Sequence, residues 1–322
     1  MAPRRPFETD AALTAIAIGY KNPAASRIAD QVMPRVSVGD EKFGYTVYPK
    51  DEAFQIPDAR VGRKGRVTQM EFTGTRKTDA VEDYGLDAPI PYSDIEAAAN
   101  ARSRGVSRHD PEGRAVEVLS ETILNLREIR VANMVQDATN YDADLKVALA
   151  GTDKFSDYTN SNPIDVIKEG LEKTFILRPN TVVFSRSTWS KTSSHPHLVN
   201  AVRGNLTDKG MISTKEFVDL FADEGIQRVL IGDAMFNAAK KGQPADMQKA
   251  WGNNIAMLHI DPMADTDNGV TWGFTAEYGQ AISGRIEDPD IGLEGGFRIR
   301  RGERVKELII APEVGYLIQN VI

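Results

Sequence analysis

The side chains that could carry chemistry in this 322-residue chain are four histidines and 46 carboxylates, with no cysteine among them. Without cysteine there is no thiolate nucleophile, disulfide, iron–sulfur cluster or cysteine-based zinc site. His195 and His197, separated by Pro196, are the one histidine pair with metal-like spacing. The next acid after them is Asp208, and a proline at this point suits a loop entering a helix. His109 sits just before the N-cap of a long helical stretch and needs no function, while His259 lies in an apolar run and reads as a satisfied core or interface residue. Asp261, Asp265 and Asp267 space superficially like a calcium loop. That pattern needs an oxygen ligand where Gly269 stands and a glutamate where Ala276 stands, so Asp267-Asn268-Gly269 reads as a tight turn instead. No phosphate-cradling glycine loop or nucleophile elbow is present, and Gly292, Gly295 and Gly296 read as a turn or bulge. Nothing selects an acid–base pair from the carboxylates. The expectation is a protein with no catalytic residues, cofactor or metal, and hence not an enzyme.

Hydrophobic content of 41% and charged content of 26% are those of an ordinary globular protein, long enough for about two domains. A net charge of -7 argues against a dedicated nucleic-acid binder, though not against a locally basic inner surface. No charge-free run approaches the ~18–20 apolar residues of a membrane span. Arg4 and Arg5 ahead of the apolar residues 11–18 imitate a secretory signal, but Glu8 and Asp10 interrupt the flank. The chain therefore reads as cytosolic, with no membrane partner.

Residues 1–41, punctuated by Pro3, Pro6, Pro23 and Pro34, read as an arm with room for one short helix at about 10–20. Residues 42–78 read as a long hairpin, with strands at 43–48 and 67–73 around a tip rich in proline, glycine and charge. A lone two-stranded hairpin is marginal in water, so this one is expected to lie on another copy of the chain. Its basic residues Arg60, Arg63, Lys64, Arg66, Arg76 and Lys77 are followed by the acids Glu82, Asp83, Asp87, Asp94 and Glu96. One reading makes these two solvated surfaces. The sharper one makes them intersubunit contacts, a basic hairpin docking on a neighbour's acidic patch.

Asp110 and Pro111 open a helix predicted over 111–137, roughly 40 Å long. Its apolar face is expected to be Leu119, Ile123, Leu126 and Ile129, with Arg127, Glu128 and Arg130 on other faces. From Asn162 short helices alternate with buried-strand runs at 181–184, 228–231 and 255–260, indicating an α/β unit. Strands at 270–274, 274–278, 297–301, 305–310 and 316–322 follow, with a turn at Arg301-Gly302-Glu303. The apolar terminal strand must return to pair with earlier elements. There is no internal repeat.

This order of arm, basic hairpin, long helix, α/β unit and returning strands resembles the tailed-bacteriophage major capsid proteins of the Hong Kong 97-type fold. So do the stretches Phe217-Val218-Asp219-Leu220-Phe221, Arg228-Val229-Leu230-Ile231-Gly232, Trp251-Gly252-Asn253-Asn254 and Val314-Gly315-Tyr316-Leu317-Ile318. The resemblance implies an α+β fold divided into an N-terminal arm (1–41), an extended hairpin loop (42–78), a peripheral domain (79–161) with a spine helix at about 111–137, and an axial domain (162–273). Return strands of the peripheral domain (274–311) and a terminal axial strand (312–322) complete it. It implies pentamers and hexamers closing into an icosahedral shell around double-stranded DNA, which is touched non-specifically, with assembly in the bacterial host cytoplasm. A scaffolding protein, a portal and minor or cement proteins are the implied partners. No long charged helical segment precedes the arm, which implies a separate scaffolding protein or a mature form. The alternatives are a bacterial nanocompartment shell of the encapsulin type, with the same fold, and a soluble α/β enzyme using carboxylates.

Overall fold

The computed structural model describes residues 22–47, 56, 58–63, 65–69, 75–106, 109–174, 177–204, 207, 209–240, 242–266 and 269–322. The short helix expected at about 10–20, and Asp267 and Asn268 of the expected tight turn, lie outside them.

Four runs of strongly apolar sequence become one sheet. Strands β6 (Thr181–Ser185), β7 (Arg228–Gly232), β10 (Ile255–Leu258) and β14 (Gly315–Gln319) join a short β5 (Lys146–Ala148) in the order β5-β14-β10-β6-β7. Both faces of this sheet are covered. Val182, Phe184, Ile255, Met257, Tyr316 and Ile318 point to one core, and Val183, Ala256, Leu258 and Leu317, which alternate with them, point to the other. A strand buried on both sides has no polar face, so its sequence reads as a continuous hydrophobic run.

The first of these cores is roofed by helices α4 (Pro163–Lys173), α5 (Arg186–Ser193), α6 (Pro196–Arg203) and α7 (Thr214–Leu220). Their starts are written in the sequence. The Asn162 side chain accepts from the Ile164 amide at 3.2 Å, while Ser185 with Thr188 and Ser213 with Glu216 form capping boxes. At Gly170 any β-carbon would collide with Met257 and Tyr316, so the glycine lets α4 lie close on the sheet.

Helix α3 (Pro111–Gln136) covers both halves of the molecule. Its last turns place Val131, Ala132 and Val135 in the second core of the apolar sheet. Its first half places Leu119 against Ile90 and Ile299 of a second sheet. That sheet is built around β13 (Gly296–Ile309), one unbroken strand. β4 (Glu82–Pro91) pairs with β13 over 296–305, β12 (Ile282–Asp288) over 296–302, and β11 (Gly273–Tyr278) over 305–309. β1 (Arg35–Val38) adds to β11 in parallel.

Several expectations are corrected here. The turn at Arg301-Gly302-Glu303 does not exist: Gly302 is an interior strand residue whose missing β-carbon accommodates the Tyr84 carbonyl, 2.8 Å from where that carbon would stand. Gly269 does turn, with φ of 87°, but the strands on either side, β10 and β11, belong to different sheets. Strand β4 and helix α2 (Tyr92–Ser103) were not anticipated. On α3, Leu126 is 43% exposed, whereas Arg127 and Glu128 are each 1% exposed.

Candidate assembly interface

The hairpin is formed by β2 (Lys42–Val47) and β3 (Thr75–Ala80), paired from Lys42↔Ala80 to Val47↔Thr75. The expected second strand at 67–73 is displaced: residues 67–69 carry no strand, and 70–73 lie outside the described residues. The base of the hairpin is anchored on its own chain, where Phe43 and Tyr45 pack with Phe274, Ala276 and Leu308. Beyond it, every described residue from 56 to 69 is exposed, including Ile56 and Val67.

Arg60, Arg63 and Arg66 are exposed in this distal part, and Arg76 and Lys77 are exposed on β3. Lys64 lies outside the described residues. Among the described residues the structure does not bring these bases onto the acids of 82–96 within the chain. It brings β13 onto them instead. Asp87 holds Arg300 through two contacts of 2.8 Å, Asp83 lies 3.4 Å from Arg304, and Glu82 lies 2.5 Å from Lys306. The Arg300 hydrogen bond holds the Asp87 carboxyl below its ordinary pKa, and Lys306 followed by Tyr84 does the same for Glu82. Tyr84 donates to Glu82 at 2.6 Å, and burial together with that bond pushes its hydroxyl up to about 12. Asp94 and Glu96 stand exposed on α2.

A second charged cluster went unread in the sequence and is buried. Glu128 accepts from the amides of Ile28 (3.0 Å) and Ala29 (2.8 Å) at the start of α1 (Ala29–Val32), and from the Trp251 indole at 2.6 Å. Arg127 donates to the Met33 carbonyl (3.1 Å) and the Thr275 hydroxyl (3.0 Å), and pairs with Asp30. Burial lowers the Arg127 pKa, and the nearby Glu303 and Glu307 oppose that shift. Arg130 reaches Glu307 at 2.9 Å and lies 3.7 Å over the Tyr84 ring, while Arg35 joins Glu277 and Glu303 at 3.0 Å. A buried charge is costly unless it is paired and hydrogen-bonded. Both terminal nitrogens of Arg127 and the Glu128 carboxylate find such partners, while Arg127 Nε makes no hydrogen bond and lies 4.0 Å from Glu307. These contacts clamp the base of the arm, α3 and the β11–β13 sheet into one joint. The readable signal was spacing: Arg127 is four residues from both Ile123 and Val131, and Glu128 four from Ala132, all buried.

His195 is fully buried. Its Nδ1 accepts from the His197 amide at 3.3 Å and its Nε2 faces the Ser161 hydroxyl at 3.0 Å. It caps α6. Burial, followed by His197, lowers its pKa to about 4. Among the described residues no group of three or more His, Asp or Glu is arranged to hold a metal ion, and no helix is long and apolar enough to cross a membrane.

The chain as a whole is similar to known proteins. No family model matches the chain. The major capsid protein of Pseudomonas phage JBD67 is 40% identical over 317 residues, covering 98% of each chain. The chain belongs to the phage major capsid protein family. The major capsid protein of Burkholderia phage BcepMu is 26% identical over 322 residues, covering 97% of this chain and 96% of that protein. Among solved structures, a phage-related protein of Bordetella bronchiseptica RB50 superposes with a TM-score of 0.66 at 16% identity, over 94% of both chains. The capsid of cyanophage P-SCSP1u gives 0.59 at 8% identity, over 94% of this chain and 91% of that one. The fold is thus the α+β Hong Kong 97-type capsid fold, and the chain is a capsid shell protein. Neither the nanocompartment nor the enzyme alternative is favoured.

Proposed function

We infer that many copies of this chain, grouped as pentamers and hexamers, close into an icosahedral shell around double-stranded phage DNA. In this reading the protein has no catalytic role, touches the packaged DNA without sequence preference, and assembles in the host cytoplasm with a scaffolding protein, a portal and minor or cement proteins. The β5-β14-β10-β6-β7 sheet with its helices serves as the axial domain. The β4–β13 sheet with α3 serves as the peripheral domain.

The observation that carries the proposal is the hairpin, whose base is packed on its own chain while its described distal residues are exposed. This is the geometry of an arm that meets a neighbour. Arg60, Arg63, Lys64, Arg66, Arg76 and Lys77 then face the acids of 82–96 on the adjacent copy. Glu82, Asp83 and Asp87 already hold partners in their own chain, so Asp94 and Glu96 take the larger share of that contact.

Deleting residues 51–66 is expected to leave the secondary structure intact by circular dichroism and to remove closed particles from electron micrographs. Reversing Arg60, Arg63, Lys64 and Arg66 to glutamate is expected to impair assembly more at low salt than at high salt, because exposed charge pairing is screened within about 10 Å at 0.1 M. Particles forming normally from the deletion variant would refute the role given to the hairpin.

A further inference from the structure

One apolar surface is left over once the two sheets and the charged joint are accounted for. It is a groove of about 900 Å³ between α3 and the hairpin of β8 (Met235–Asn237) and β9 (Met247–Lys249). Leu126 and Ile129 form its α3 wall, and Met235, Phe236 and Met247 form the other. Leu126, Met235 and Met247 are exposed, as is Val118, which continues the same stripe two turns earlier along α3. Exposed apolar residues gathered in this way mark a contact surface.

The path of the chain says what covers it. Asn22 is fixed at the rim: its side-chain amide donates to Asn125 at 3.0 Å and to the Met235 carbonyl at 2.9 Å, and its oxygen accepts from the Met235 amide at 3.1 Å. Twenty-one residues precede it. The described chain therefore begins at the edge of the groove, and two residues reach at most about 7 Å from there. In residues 11–20, Leu13, Ile16, Ala17 and Tyr20 fall at i, i+3, i+4 and i+7, the anchor spacing of a helix laid into an apolar groove. Ten helical residues measure about 15 Å, close to the stretch of α3 from Val118 to Ile129. A second copy would have to displace a segment tethered at millimolar effective concentration.

We propose that residues 11–20 dock in cis as an amphipathic helix in the groove between α3 and the β8–β9 hairpin of their own chain. The arm is then held in two places, at the Arg127–Glu128 joint and in this groove. The proposal does not depend on shells forming, because the contact is intramolecular.

The chain has no native cysteine, so an engineered pair reports cleanly. Ile16→Cys with Leu126→Cys, in the full-length protein under mild oxidation, is expected to form an intrachain disulfide. Its yield should be several-fold above that of a control pair, Ile16→Cys with Leu293→Cys, because the bond needs β-carbons about 4 Å apart. The readouts are a linked peptide in mass spectrometry and monomer mass on a non-reducing gel. Leu126 is partly exposed, so this substitution leaves the core intact. Disulfide-linked dimers or ladders would assign the groove to the arm of another copy and overturn the proposal. Linkage no greater than the control would overturn it equally.

Discussion

The β5-β14-β10-β6-β7 sheet and the β4–β13 ladder are both built of paired strands, yet they are stabilised by different means. In the first, alternate side chains enter two apolar cores and almost nothing charged lies between them. In the second, the outward residues are acids on β4 matched to Arg300, Arg304 and Lys306 on β13, and each exposed pair contributes only ~0.2–1 kcal/mol. One half is made stable by what it hides from water. The other pairs the acids of β4 with the bases of β13 at its surface and buries Glu303 and Glu307 in the joint with α3.

The contrast breaks most sharply at Phe217, fully buried and packed on Phe184, Trp189 and Phe221. Phe217→Ala should lower unfolding stability by about 3–5 kcal/mol, read by urea denaturation with the neighbouring Trp189 as a fluorescent reporter. A loss below about 1 kcal/mol would show that this core is not what holds the apolar half together.

An intermediate effect is expected at His195. Its folded pKa is near 4 against an ordinary 6.5, so between these values the unfolded chain binds the extra proton and stability falls as pH falls. The window is worth on the order of a few kcal/mol. Asparagine retains the capping ability and cannot titrate, so His195→Asn should flatten the stability profile between pH 6.5 and 4. An unchanged slope would place the titrating group elsewhere.

The smallest effect belongs to the ladder. Asp87 has a lowered pKa, so its contribution is present above the ordinary value of 3.8 and is lost as pH falls through the folded value. Asp87→Asn should cost no more than about 1 kcal/mol at neutral pH and reduce the loss of stability below pH 4. Thermal melts at the two pH values check it, and a cost as large as that of Phe217→Ala would erase the distinction between the two halves.

The same contrast explains what could be read beforehand. Strands at 181–185, 228–232 and 255–258 announced themselves because burial on both faces demands unbroken apolar runs. α3 announced itself through Asp110-Pro111 and its length. β4 was hidden because its acids were read as a charge block, although Tyr84, Leu86, Ala88 and Ile90 alternate with period two on its inner face. The second hairpin strand was placed on the β-branched and aromatic residues of 67–73, whereas pairing falls on the polar run Thr75-Arg76-Lys77-Thr78. A strand exposed over most of its length, as β3 is, needs no apolar alternation to mark it. The sequence pattern places Arg127 and Glu128 off the apolar face of α3, because charged residues on a helix usually lie there. Only the tertiary partners Asp30, Met33, Thr275 and Trp251 make their burial affordable.

The pairing of β4 with β13 also fixes an order in time. Pro91 is the partner of Gly296, about 200 residues further along the chain. At about 5–20 residues per second of synthesis, β4 emerges some 10–40 s before the strand that completes it. Throughout that interval it presents unpaired backbone groups and an alternating apolar face to solvent, the form of strand most prone to wrong association. The charges that later match Arg300 and Lys306 are therefore also the charges that keep a nascent, unfinished sheet from finding another nascent chain first.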